Sequence, residues 1–131
     1  MERIGDHTEI IQSIINKLQT DELKFSIQAE KEYDLLHEKL ASAAKLSAEM
    51  LTRCTPELME KSVNMESELQ QMLDNFETEH ITRINQGDCR PQVGILYLEL
   101  LAEIRKISRH LFNINERSEM FYENFPTELH K

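Results

Sequence analysis

Glu2 and Asp6 stand four positions apart at the start of the chain. On a helix both carboxylates project from one face, one turn apart. Two hard oxygen donors at that spacing can share a cation. Two carboxylates alone hold a metal weakly, because structural and catalytic sites draw on more donors. The pair is therefore a candidate half-site, and in a chain with 24 acidic residues such a pair also arises by chance. A second constellation is Glu77-x-x-His80, with Asp34-x-x-His37 as a weaker copy. That i, i+3 spacing is the one used by helical bundles that hold two irons, which need two further inward Glu residues as well. His80 falls on an apolar seam and Glu77 beside it, which favours a hydrogen-bonded core histidine over a ligand. The sequence holds no Gly-rich phosphate loop, no His-Glu-x-x-His helix and no nucleophile elbow. No reaction is expected from it.

The elements that must carry these residues are helices. With 131 residues the chain suits one domain, and its three Gly and three Pro leave little to interrupt long helices. Residues 1–18 repeat Ile4, His7, Ile11, Ile14 and Leu18 at spacings of three and four. No capping residue precedes them, as if the chain were cut within an element. Residues 19–25 read as a connection, and Ser26 as the N-cap of a second helix. That helix carries Ala29, Tyr33, Leu36, Leu40, Ala43, Ser47 and Met50 on one seam. Thr55–Pro56 starts a third helix, whose seam runs from Leu58 through Ser62, Met65, Leu69, Leu73, Phe76 and His80 to Ile84, and Gly87 stops it. Pro91 opens the last helix. Its seam, from Val93 through Tyr97, Leu100, Ile104, Ile107, Leu111, Ile114 and Ser118 to Phe121, alternates by four and three without a slip. Pro126 marks its end. The expected fold is all-α: one partial helix and three long ones in an antiparallel up-down bundle, because short connections join antiparallel neighbours.

Composition narrows the partners. A net charge of −9 argues against a duplex nucleic-acid binder, which needs a basic face, and against docking on anionic lipid. No stretch is apolar enough to span a bilayer, and Met1 runs straight into Glu2, Arg3 and Asp6 rather than into a signal peptide. Direct membrane insertion is not expected. Cys54 and Cys89 have no metal-type spacing and read as free thiols of a reducing compartment.

The string Glu2-Arg3-Ile4-Gly5-Asp6-His7 resembles the signature of PhoU-type proteins. The stretch from His80 through Asn85, Gly87, Pro91 and Gly94 to Leu101, with Ile107 to Ile114, is similar to the form of that domain found at the C-terminal, cytoplasmic end of sodium/phosphate cotransporter family proteins. Lys24-Phe25-Ser26 followed by Ala29 and Glu32 fits the start of its second repeat. The resemblance implies two three-helix repeats. Residues 1–18 would then end the first and residues 26–125 would form the second, so that the chain is a fragment of a larger PhoU-like domain. It also implies that Glu2 and Asp6 belong to one motif for iron or another divalent metal, whose partner helix lies upstream. The equivalent of residues 2–7 is Arg105-Lys106-Ile107-Ser108-Arg109-His110, where Arg105 and Arg109 replace the acids. The partner acids on the third helix would fall near Glu60 and Asn64. Guanidinium groups repel a metal ion, so this site should be metal-free, and Arg105 and Arg109 either pair with Glu60 and nearby acids or stand as ordinary solvated side chains. His7 and His110 occupy equivalent positions.

Ile4, Ile10, Ile11, Ile14, Ile15 and Leu18 give the first helix more apolar surface than one narrow stripe needs. Exposed apolar surface of that kind marks association, so a homo-oligomer with these residues in the interface is expected. What the resemblance implies about function is a non-enzymatic regulatory domain, cytoplasmic and held near the membrane by a transporter, acting in cis or in trans. The alternative is a carboxylate helical bundle holding a metal cluster.

Overall fold

Among the described residues four helices make up nearly the whole length: α1 (Glu2–Thr20), α2 (Ile27–Thr52), α3 (Pro56–Asn85) and α4 (Pro91–Asn124). The computed structural model describes residues 2–87 and 90–124, with side chains over 4–87 and 90–123. Among the described residues there is no strand, and no helix is long and apolar enough to cross a membrane. Cys89 and Pro126 lie outside the described residues.

The helix boundaries follow from local chemistry. Ser26 caps α2, its Oγ accepting from the Ala29 N–H at 3.1 Å. Thr55 caps α3 by accepting from the Leu58 N–H at 3.3 Å, with Pro56 at the first helical position. Each such cap is worth about 1 kcal/mol. Gly87 stands just beyond α3 at φ 78°, a left-handed conformation that glycine adopts without a Cβ penalty. The end of α1 differs from expectation. The helix continues to Thr20 and closes in a Schellman turn, in which the Leu23 N–H donates to the Leu18 carbonyl at 2.8 Å and the Glu22 N–H to the Gln19 carbonyl at 3.3 Å. The left-handed position is held by Glu22 at φ 54°, so no glycine announces this turn in the sequence.

Packing centres on α4, which lies against α1, α2 and α3, while α2 also packs on α3 and α1 stands apart from α2. Ser62 meets Asn115 and His80 meets Gly94, so contacts run in opposite directions along α3 and α4. The expected seams form the core: Leu36, Leu69, Leu73, Tyr97, Leu100 and Ile104 are fully buried. A second stripe on α4, including Leu96, Glu103 and His110, turns toward α1, because the central helix is covered on more than one side. The expected seam fails at its end. Phe121 is 52 % exposed and Tyr122 is buried in its place. A strict seven-residue repeat drifts about 20° per heptad on a straight helix. Over the four heptads from Val93 that carries the inward direction from position 121 to 122.

On α1, Ile14 and Leu18 are buried in this chain's own core. Ile4 and Ile11 pack against that core, Ile15 is half-buried, and Ile10 is 43 % exposed. The six residues assigned to an interface between copies are thus divided, with Ile14 and Leu18 engaged inside the chain by α4.

Candidate functional site

Glu32 sits between Ala29 and Leu36 on the inward stripe of α2 and is only 1 % exposed. A carboxylate so placed needs partners. Tyr97 on α4 donates its hydroxyl to Glu32 Oε1 at 2.7 Å, and Arg83 on α3 donates through Nη2 to the same oxygen at 2.9 Å and through Nη1 to Oε2 at 3.4 Å. The guanidinium also lies 3.3 Å from His80 Nδ1, while His80 Nε2 lies 3.2 Å from the Gly94 carbonyl. One tautomer satisfies both contacts: Nε2 carries the proton and donates to Gly94, and Nδ1 accepts from Arg83. Burial holds the imidazole pKa below its ordinary value, and the Arg83 charge works in the same direction, against the Gly94 carbonyl and Glu32. Burial, then the bond to Glu32, pushes the Tyr97 phenol far above its usual range, so it remains a donor. Gly94 permits the close approach. A Cβ there would come within 2.6 Å of Ile84 Cδ1 and 3.5 Å of His80 Nε2.

A second buried acid, Glu103 on α4, ties down α1. Its carboxylate meets His7 Nδ1 at 2.5 Å and accepts from Lys106 Nζ at 3.2 Å. The His7 ring stacks on that of His110, with centroids 5.5 Å apart and planes 20° from parallel. The two rings therefore touch each other across the α1–α4 contact. At the surface, Arg105 donates to Asp74 at 2.9 Å and to Glu77 at 3.4 Å.

The sequence-derived candidates fall differently. Arg105 pairs with Asp74 and Glu77 rather than with Glu60, which lies about 21 Å farther along α3 from Asp74 at 1.5 Å per residue. Glu60, Asn64 and Arg109 are exposed, and among the described residues Glu60 and Arg109 make no ion pair. The reason is register: the opposed course of α3 and α4 sets residue 105 beside 74–77. Asp6 is exposed, and the side chain of Glu2 lies outside the described residues. Among the described residues no three His, Cys, Asp or Glu side chains converge as a metal site. In the Glu77–His80 pair, Glu77 is taken up by Arg105 and both His80 nitrogens are engaged. Asp34 and His37 are exposed.

Sequence reasoning missed the Glu32–Arg83 and His7–Glu103 pairs, which join residues 51 and 96 positions apart. The available signal was an acid on an apolar stripe: Glu32 follows Ala29 by three and precedes Leu36 by four.

Beside these networks runs an open slot of about 360 Å³. Ile4, Ile11 and Ile15 of α1 form one wall, and Tyr33, Leu40, Ala41 and Ala44 of α2 the other. Ile104, Ile107 and Leu111 of α4 make the floor. Burial, then the charge of Asp34, raises the Tyr33 phenol above its ordinary value.

No protein-family model, curated protein or solved structure matches the chain.

Proposed function

We propose that this chain is a PhoU-like, non-enzymatic regulatory domain that modulates phosphate transport through contacts with a sodium/phosphate cotransporter-like membrane protein. In this proposal the helices form an up-down arrangement comprising the last helix of one repeat and a complete second repeat, and the domain works at the cytoplasmic face. The observation that supports it is the stacking of His7 on His110. These are the histidines that the repeat alignment makes equivalent, and a duplicated unit folding back on itself brings equivalent positions together near its axis. The chemistry of the interior agrees with a role in binding rather than reaction. The buried acids Glu32 and Glu103 are each satisfied by protein donors, and His80 has no ring nitrogen left to move a proton. The carboxylate–metal alternative draws no support from acids already paired in this way.

The test is uptake of labelled phosphate in cells from which the segment encoding residues 1–131 has been deleted, with and without restoration. Deletion should change the uptake rate or its response to external phosphate, and restoration should reverse the change. Uptake that is identical in all three strains would end the transport assignment.

A further inference from the structure

The slot between α1 and α2 takes no part in either buried network. We propose that it receives one row of apolar side chains from a basic amphipathic helix of another protein, held by the acids along its α2 rim. This inference rests on the regulatory function proposed above and gives the partner its chemistry.

Shape narrows the occupant. The slot runs along the wall from Ile4 to Ile15, about 16 Å at the helical rise, and is floored by α4 side chains. A groove of that kind takes one ridge of side chains from a docked helix, as when helix ridges pack into grooves. An extended peptide is unsuited for another reason. Both walls are helices whose backbone groups bond internally, so a strand laid between them would bury N–H and C=O groups without partners. Ala41 and Ala44 are exposed and keep the α2 wall low, so the backbone of a docked helix can come close.

Charge decides the sign of the partner. Among the described residues the slot is lined by no Lys, Arg, Asp or Glu, although 30 % of the chain is charged. Its rim is acidic. Glu30, Asp34 and Glu38 follow one another at successive turns of α2 and are exposed. Asp34 and Glu38 share with Lys45 a shelf that joins the slot through His37 and Ala41. Among the described residues neither Asp34 nor Glu38 has an ion-pair partner. A helix with an apolar row flanked by Lys or Arg fits both features. A second copy of this chain, at −9, would set acids against acids. Juxtamembrane segments on the cytoplasmic side of transporters carry an excess of Lys and Arg, the chemistry this rim would select.

The test uses a labelled peptide of about 18 residues, long enough to sustain a helix when docked, with Leu along one ridge and Lys elsewhere, and a control with Glu in place of Lys. Binding is followed by fluorescence anisotropy. The Leu/Lys peptide should bind the wild-type chain, and Ala44→Trp, which fills the slot from an exposed position, should weaken it by about tenfold or more. Asp34→Lys with Glu38→Lys should weaken it similarly, and the Leu/Glu peptide should not bind. Ala41→Trp repeats the first test should Ala44→Trp disturb the circular dichroism spectrum. Equal affinity for the wild type and the filled-slot variants would reduce the effect to general charge attraction and overturn the proposal. So would binding of the Leu/Glu peptide, or a dimer in sedimentation that Ala44→Trp abolishes, since a second copy would then be the occupant. Slot-dependent peptide binding together with unchanged phosphate uptake on deletion would support the docking chemistry and refute the transport role alone.

Discussion

Replacing Arg83 by Met would leave the Glu32 carboxylate buried with only the Tyr97 hydroxyl to meet it. Glu32 is 1 % exposed, and its two closest partners are the Tyr97 hydroxyl at 2.7 Å and Arg83 Nη2 at 2.9 Å. Removing one partner of a buried pair costs about 3–5 kcal/mol, because the remaining charge keeps its desolvation penalty. Arg83 retains 17 % of its side-chain surface in water, which places the loss at about 3 kcal/mol, the low end of that range. With a urea slope of about 2 kcal/mol per molar, the midpoint should fall by about 1.5 M. For a domain whose whole stability is about 5–15 kcal/mol, that is a substantial part. Circular dichroism at neutral pH measures it. The triple variant Glu32→Leu, Arg83→Met, Tyr97→Phe removes the buried charges and the phenol together and should recover part of the loss, since apolar replacements of buried ion pairs are often neutral, while His80 Nδ1 is left without its donor. An Arg83→Met variant that loses less than about 1 kcal/mol would show that Glu32 is solvated or finds another donor, and that Arg83 is not what satisfies it.

His80 should make stability depend on pH. Its folded pKa lies below the ordinary value, so below about pH 6.5 the unfolded state takes up the proton more readily and stability falls as pH drops toward the folded pKa. The difference between wild-type and His80→Gln urea midpoints should therefore shrink between about pH 7.5 and 5.5, and a constant difference would remove His80 as the cause. Ser62→Ala should cost about 1–3 kcal/mol, because Asn115 Nδ2 then loses its buried acceptor at 2.9 Å while Asn115 Oδ1 has no partner among the described residues. Pairing it with Asn115→Leu should recover most of that loss in the same urea assay. Glu22→Gly should raise stability by about 1 kcal/mol by relieving the left-handed φ of 54°, and a loss instead would place the strain elsewhere.

Local chemistry carries far in this chain, and long-range pairing does not. Ser26, Thr55–Pro56 and Gly87 mark three helix boundaries through hydrogen bonds formed within a few residues of sequence, so they can be read directly. The turn after α1 could not, because Glu22 takes a conformation that its residue type does not advertise. The apolar period located the seams from Ala29 to Met50 and from Val93 to Ser118, but not the drift that exchanges Phe121 for Tyr122. The site suffered most. A repeat alignment set Arg105 against Glu60, whereas helix register sets it against Asp74 and Glu77. Glu32, Arg83 and Tyr97 come from three different helices, and no spacing within one segment could join them. His80 is the exception: its place on an apolar seam already pointed to a hydrogen-bonded core residue, and its bonds to Gly94 and Arg83 are of that kind.

The proposed regulatory role takes these acids to be held by the protein's own donors: Glu32 by Arg83 and Tyr97, Glu103 by His7 and Lys106, and Asp74 and Glu77 by Arg105. Elemental analysis of the protein, purified without chelator from metal-supplemented medium, tests it most directly. Iron, manganese and zinc are expected at well under about one ion per chain. About two or more ions per chain would contradict it and restore the carboxylate–metal bundle.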